Sequence, residues 1–487
     1  MKLNDATLMR DRAYVGGEWT EAASGRRFEV INPASGAVIG TAPNMAAEDA
    51  VAAIERAEAA FGPWSSRSAK EREKPLKEWA RLIVSNADDL AAILTLEQGK
   101  PLADAKSEVL FAASFVEWFA EEAKRTYGEV IPGARRDVRF TAVKEPIGVC
   151  AGITPWNLPS AMVTRKAAPA LAAGCTMVLK PAEDTPFSAL ALCVLAERAG
   201  IPAGVLNVIT GNRASAAELG AELTSNPIIG KLSFTGSTAV GKQLMAQCAG
   251  TVKRVSLELG GNSPFIVLAD ADLDVAVGSA IFAKFRNAGQ TCIAPNRFLV
   301  DQKVHDEFAQ RLMRAVAALK LGDGFEEGVT LGPLINGAAV SKVEAHVADA
   351  LAQGARLLAG GKRPSREGSF FEPTLLTGVT SDMRMSSEET FGPVIGLAMF
   401  ESEGELIAKA NATRFGLASY LFGRDAGRLQ RVSERLQAGI VGINTGAIAT
   451  EVAPFGGFKE SGIGREGARQ GIEEFMETKF ICQAFVA

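Results

Sequence analysis

The stretch VCAGITPWNLPSAMVTRKAAPALAAGCTMVLKPAEDTPFSALALCVLAERAGIPAGVLNVITG, residues 149–211, decides the fold. Short β-rich runs (VCAGITPW, TMVLKP, VLNVITG) alternate with helical stretches (AMVTRKAAPALAA, FSALALCVLAERAG). The same punctuation continues through AAELGAELTSN, KLSFTG and STAVGKQLMAQCAG. Strand–helix–strand alternation of this kind predicts an α/β fold built on a doubly wound parallel sheet. Upstream, helices are expected over 46–62 and 67–97, covering one face. Downstream of RVSLELGG a second α/β set opens with SPFIVLAD and LDVAVGSAIFAKF, so a boundary is expected near 255–260, with the second unit running to about 430. Segments 124–145 and 470–487 read as strands outside either core, and exposed strands seek partners, which predicts pairing between subunits.

With 487 residues, 47% of them apolar, the chain has material for roughly two or three cores. A net charge of −4 and no run of five like charges argue against a nucleic-acid surface or an acidic tail. The first residues lack a signal-peptide layout, and nowhere is there a stretch of eighteen uncharged apolar residues. The expectation is a cytoplasmic protein with neither nucleic acid nor membrane as partner.

Six cysteines (150, 175, 193, 248, 292, 482) form no CxxC pair and have no histidine placed to complete a zinc site, so no disulfide and no metal is expected. Cys150, Cys175 and Cys193 lie in apolar runs and read as buried, inert thiols. Cys292 differs, because it sits in FRNAGQTCIAPNR, residues 285–297, a polar turn containing glycine. The usual partner for a nucleophilic thiol is histidine, and the chain has only His305 and His346, both in amphipathic segments that read as helix surfaces. The base for Cys292 is therefore expected to be a carboxylate, with Glu258 of VSLELGGNSP in view.

Three segments carry signals of a nucleotide- or phosphate-binding loop and differ in strength. LSFTGSTAVGKQ, 232–243, has the strand, glycine turn and helix start that aim backbone N–H groups at an anion. It falls short of a P-loop because Gln243 stands where a magnesium-holding Ser or Thr is required, which counts against an NTPase. Gly462, Gly464 and Gly467 make a formal GxGxxG, but it follows no strand and too little chain remains for a βαβ unit; these glycines are expected to turn a loop near a site. VLKPAEDTPFSA, 178–189, ends a strand with Lys180 and Glu183, a pair suited to an adenosine ribose.

Taken together, ITPWNLP (153–159), KPAED (180–184), FTGST (234–238), LELGG (257–261), GQTC (289–292), EETFGPV (388–394) and PFGGFKESGIGRE (454–466) resemble the aldehyde dehydrogenase superfamily, in particular its succinate-semialdehyde dehydrogenase branch. The resemblance covers essentially the whole chain. It implies a cofactor unit from 1–123 and 146–256, a catalytic unit from 257–430, a return over 431–469 that brings a site loop, and oligomerisation strands at 124–145 and 470–487 making a homodimer or homotetramer. It also implies Cys292 as nucleophile, Asn157 and the Cys292 N–H as oxyanion donors, Glu258 as hydrolytic base, and Lys166 in cofactor holding or proton relay. The cofactor would lie against Thr154, Trp156, Lys180, Glu183, Gly236, Ser237, Glu389 and Phe391. Because Glu183 would repel a 2′-phosphate, NAD is expected over NADP, with NADP as the alternative.

In the resembling branch Arg165 and Arg286 hold the substrate's far carboxylate, implying a small anionic aldehyde, with succinate semialdehyde as the main reading and glutarate semialdehyde or a sulfonated aldehyde as alternatives. The chain departs from the branch at Ala449, where a serine usually helps hold that carboxylate and Thr450 is the nearest substitute. It also has Leu158 where phenylalanine is common, and Ala294 where some relatives carry a second cysteine.

Overall fold

A computed structural model describes residues 3–485. Five parallel strands form the centre of its first sheet, in the spatial order Leu206–Val208, Thr176–Lys180, Val149–Ile153, Ile229–Thr235, Arg254–Glu258. The chain winds outward from Val149–Ile153 in one direction, then returns to its other side. The crevice at a doubly wound sheet's carboxyl edge therefore opens between Val149–Ile153 and Ile229–Thr235, where the winding reverses. Short antiparallel strands finish the edges, with Ala13–Val15 beyond Leu206–Val208 and Gly462–Ile463 beyond Arg254–Glu258.

The helix Pro159–Ala173 shows how the sequence produces this packing. Proline opens it, where the missing N–H costs nothing, and Gly174 at φ 101° ends it in the left-handed region. All fifteen residues are buried, because helix Leu102–Glu122 covers the side turned away from the sheet. The many alanines let these layers approach closely.

The second sheet has seven strands, in the order Arg356–Ala359, Thr374–Thr377, Val394–Phe400, Pro295–Asp301, Ser263–Val267, Ala418–Phe422, Ile440–Ile443. Only the Arg356–Ala359 edge is antiparallel. Phe265 stacks at its centre on Phe298 and Phe422, with centroids 4.7 and 4.6 Å away. The chain passes between the two sheets through Leu259–Asn262. A third, antiparallel sheet of Met476–Ala484, Val138–Pro146 and Glu129–Ile131 leaves Val130, Phe480 and Ile481 exposed. The expected 470–487 strand begins only at Met476, after the short helix Ala468–Glu473, and its last two residues lie outside the described residues.

Other expectations shift. The helix anticipated over 67–97 is two, Ala69–Ser85 and Ala87–Gln98, broken at Asn86, whose side-chain amide donates to the Leu82 carbonyl at 2.8 Å. The second sheet reaches Ile443, past 430, because Ile440–Ile443 pairs with Ala418–Phe422. Both histidines are buried rather than on helix surfaces. His346 shares a face with Val343, Val347 and Ala350 and is held between Thr390 and Glu388, 3.1 and 3.2 Å away; His305 shares one with Phe308 and Leu312 and lies 3.3 Å from Thr377. Both helices are amphipathic, as expected, but each histidine is on the inward side, where a polar partner satisfies it.

Among the described residues all six cysteines are free, no group of three or more His, Cys, Asp or Glu side chains could hold a metal, and no helix is long and apolar enough to cross a membrane.

Candidate active site

A cavity of about 310 Å³ opens at the carboxyl edge of the first sheet, and both sheets contribute to its wall. The loop that delivers Cys292 is unusual. Asn287, Ala288 and Gly289 follow one another in the left-handed region, with φ of 52°, 54° and 76°. Asparagine and glycine tolerate that region, whereas Ala288 carries strain of roughly 1–2 kcal/mol. Glycine is required at 289 twice over, since a Cβ there would lie 2.3 Å from the Gly392 carbonyl oxygen. The loop then seats Cys292 against Gly261, where a Cβ would come within 2.5 Å of the Cys292 carbonyl oxygen. Cys292 is partly accessible to the cavity but deep in the fold. Burial pushes its thiol up to about 12, with Glu389, Glu258 and Glu466 adding to the rise and Arg165 opposing it.

Glu258 ends the strand Arg254–Glu258, so its side chain is presented at the carboxyl edge and lines the same cavity. Both its carboxylate oxygens are buried without a protein partner. Burial raises its affinity for a proton well above that of an ordinary carboxyl, and the nearby Glu466 carboxylate raises it further against the pull of Arg165, Lys166 and Arg465. An unpartnered carboxyl shifted toward neutrality is suited to proton transfer. Asn157, from the turn after Val149–Ile153, completes the group: one amide hydrogen goes to the Gln290 carbonyl at 2.9 Å, leaving the other free to donate.

Trp156, Gly236, Ser237, Glu389 and Phe391 line the cavity as well. The Ser237 hydroxyl caps the eleven-residue helix Thr238–Cys248, and Gly236 is packed so tightly on Phe234 that a Cβ would lie 2.5 Å from its ring. Thr154 and Thr235, at the carboxyl ends of the two strands that flank the reversal, each keep a buried hydroxyl with no protein partner. A helix N-terminus beside unsatisfied hydroxyls at this position fits a dinucleotide. Across the cavity Glu389 accepts from the Gly261 N–H at 3.1 Å, and burial pushes its carboxyl up to about 7. Phe391, at φ 55°, meets Trp156 edge-on at 5.5 Å. Lys180 and Glu183 lie 4.0 Å apart on the same sheet edge but outside this cavity; Glu183 opens on a neighbouring cleft with Asp184 and Arg213. Lys242, the would-be P-loop lysine, is paired with Glu460 at 2.8 Å.

Arg165 and Arg286 both reach the cavity, in different settings. Arg165 is 4% exposed, stacks on Phe455 at 3.9 Å, and lies 3.1 Å from a Glu466 oxygen, while its Nη2 is buried and unpartnered. Arg286 is half-buried against Phe282, with no carboxylate paired to it among the described residues. Ala449 and Leu158 are also in the wall. Thr450 is not: its hydroxyl lies 3.2 Å from the Glu451 carboxylate and is used there, so it does not replace the serine missing at 449. Lys166 is also off the cavity wall, fully buried between Glu466 at 2.6 Å and Ser233 at 3.1 Å. Sequence reasoning assigns no role to Glu466, the last residue of PFGGFKESGIGRE, which contacts both Arg165 and Lys166.

The arrangement can form a covalent bond to a carbonyl carbon, stabilise the resulting oxyanion and activate water. Residues 19–481 match the family model described as the aldehyde dehydrogenase family. The chain is 58% identical to an Escherichia coli succinate-semialdehyde dehydrogenase [NADP(+)] and 58% identical to a Pseudomonas putida glutarate-semialdehyde dehydrogenase, each over 99% of both chains. It is 56% identical to a 3-sulfolactaldehyde dehydrogenase of Pseudomonas putida over the same share. A crystal structure of succinate-semialdehyde dehydrogenase from Burkholderia pseudomallei superposes with a TM-score of 0.98 at 58% identity, covering 99% of this chain and 100% of that one.

Proposed function

The chain belongs to the aldehyde dehydrogenase family, and from that premise we propose that it oxidises a small anionic aldehyde to the acid, with succinate semialdehyde as the main substrate. The observation that carries this reading is the meeting, in one cavity, of Cys292, the unpartnered Glu258 carboxyl and the Asn157 amide with two arginine side chains. Cys292 Sγ adds to the aldehyde carbon as its thiol proton passes to solvent through the cavity, and the new oxyanion accepts from the Asn157 amide and the Cys292 N–H. A donor so placed contributes about 2.7–4 kcal/mol in comparable acyl chemistry. A nicotinamide dinucleotide held at this edge would supply the hydride acceptor needed to take the sulfur-bound carbon to the thioester. Glu258 then takes a proton from water as the water attacks that carbon, the C–S bond breaks, and the acid leaves.

Lys180 and Glu183 would hold the adenosine ribose, with Gly236 and Ser237 at the pyrophosphate. Thr154, Trp156, Glu389 and Phe391 would bound the nicotinamide end. Lys166, joined to Glu466 beside Glu258, is read as part of a proton path. The outlying third sheet is read as the surface through which a homodimer or homotetramer forms, and the enzyme as cytoplasmic. A CoA-acylating enzyme would have no use for a hydrolytic carboxyl at 258.

Relatives of nearly equal identity carry succinate semialdehyde, glutarate semialdehyde and 3-sulfolactaldehyde in their names, so identity does not choose among anionic ends. Aldehydes of one chain length with carboxylate, sulfonate or neutral ends make the test. Carboxylate is expected to lead in kcat/KM. Arg286→Ala should lower kcat/KM on the preferred anion about tenfold to a hundredfold, the scale of a charged hydrogen bond, while leaving the neutral aldehyde within about twofold. Equal loss on both would refute an anion-holding role. Arg165→Ala is a less clean test, because Arg165 also offsets Glu466 beside Glu258.

For the cofactor, the Glu183 carboxylate opposes a 2′-phosphate, against the pull of Lys180 4.0 Å away and of Arg213 in the same cleft. NAD is expected to exceed NADP in kcat/KM by about tenfold or more. The E. coli relative is named for NADP(+), and equal or better use of NADP here would overturn the preference.

A further inference from the structure

Beneath the Asn157 turn lies a buried ion pair that the chemistry above does not use. Lys100 and Glu108 are 2% and 0% exposed, and their charged groups are in direct contact. Removing an ammonium and a carboxylate from water costs more than a surface pair returns, unless their remaining hydrogen bonds are met. Here they are met, and by the site itself. The Lys100 ammonium donates to the Asn157 backbone carbonyl at 2.8 Å. Glu108 accepts the N–H groups of Ser160 and Ala161, at 3.0 and 3.3 Å, in the first turn of the helix that follows Asn157. The Asn157 carbonyl also accepts from Asn287 Nδ2 at 2.8 Å, and Asn287 in turn accepts from Gln98 Nε2 at 2.9 Å. Asn287 belongs to the left-handed loop that carries Cys292, and the Gln290 carbonyl of that loop accepts the Asn157 amide.

One ammonium thus sits at the junction of the two turns that must face each other across the reacting carbon. We propose that Lys100, held by Glu108, is a positioning residue that sets the Asn157 amide against the Cys292 loop so that its free hydrogen meets the oxyanion. This rests on the reading of Cys292 as nucleophile and Asn157 as oxyanion donor. It assigns Lys100 no contact with substrate; the effect passes through the Asn157 main chain. Because the donor must be placed to within a fraction of an ångström, loosening the turn costs rate without removing any reacting group.

The test is a double-mutant cycle read on the first-turnover burst of reduced cofactor, with Lys100→Met as one variant. Since that substitution strands the Glu108 charge, the paired Lys100→Met/Glu108→Gln variant is measured beside it. The expected result is a burst rate lower by about tenfold to a hundredfold in the paired variant, but by less than about threefold when the same pair is placed in an Asn157→Ala background. Alkylation of Cys292 by iodoacetamide, which needs the thiolate and no oxyanion donor, should stay within about twofold of wild type. An equal loss with and without Asn157, or an alkylation rate that falls in step with the burst, would overturn the proposal. If the wild type forms no reduced cofactor from any aldehyde in its first turnover, the catalytic reading and this one fall together; normal first-turnover formation with no effect of the pair sinks only this one.

Discussion

Replacing Cys292 with alanine should reduce aldehyde oxidation by about 10⁵-fold or more, the scale on which losing a covalent nucleophile is felt when the rest of the site is intact. Neither histidine can take over, since His305 and His346 are buried and paired elsewhere. The remaining cysteines are outside the cavity wall. Cofactor affinity, followed by fluorescence titration, should be unchanged, because the cofactor's expected partners are on other turns. Retention of more than about 1% of wild-type kcat would show that the thiol is not the nucleophile. The same thiol should titrate late. With burial pushing it to about 12, the iodoacetamide rate of the cofactor-free enzyme should still climb beyond pH 9, and a plateau near pH 7 would contradict that burial.

Glu258→Gln should separate the two halves of the reaction. Acylation uses Cys292 and Asn157, so one equivalent of reduced cofactor per site should appear at close to the wild-type rate. Turnover should then drop by about 10²- to 10⁴-fold, the usual contribution of a positioned base, because glutamine cannot take water's proton. The substitution is nearly isosteric and both carboxylate oxygens lack protein partners, so no hydrogen bond is broken to make it. It also removes a carboxyl whose neighbour Glu466 already disfavours its charge, so the fold should not suffer. Stopped-flow absorbance at the reduced nicotinamide band reads both phases. Sustained turnover without a burst would remove Glu258 from the hydrolytic step.

The legible parts of this protein are those coded locally. Strand–helix alternation over 149–258 predicts the first sheet, and the glycine turns fall where backbones come within a methyl group of one another, as at Gly261 and Gly289. Where local pattern misled, the partner found by a polar side chain had decided the matter. Asn86 ends one helix and begins the next within a run that reads as continuous. His346 is polar on an amphipathic helix, and nothing near it in sequence says that Thr390 and Glu388 wait on the inner face. Thr450 stands beside Ala449, but its hydroxyl is drawn to Glu451, and adjacency in sequence did not become adjacency in the cavity.

By itself the sequence determined the α/β class, the lone cysteine in a polar glycine turn, and the shortage of histidine that makes a carboxylate the expected base. Those follow from residue type and spacing, which are properties of a few consecutive residues. Only the tertiary structure decided the charge environment of the site: Glu466 beside Glu258, Arg165 stacked on Phe455, Arg286 with no carboxylate paired to it among the described residues, and Lys100 under Asn157. The reason is physical. A charge's energy depends on the medium around it and on charges brought near by folding, and Lys100 and Asn157 are 57 residues apart in the chain but 2.8 Å apart in space.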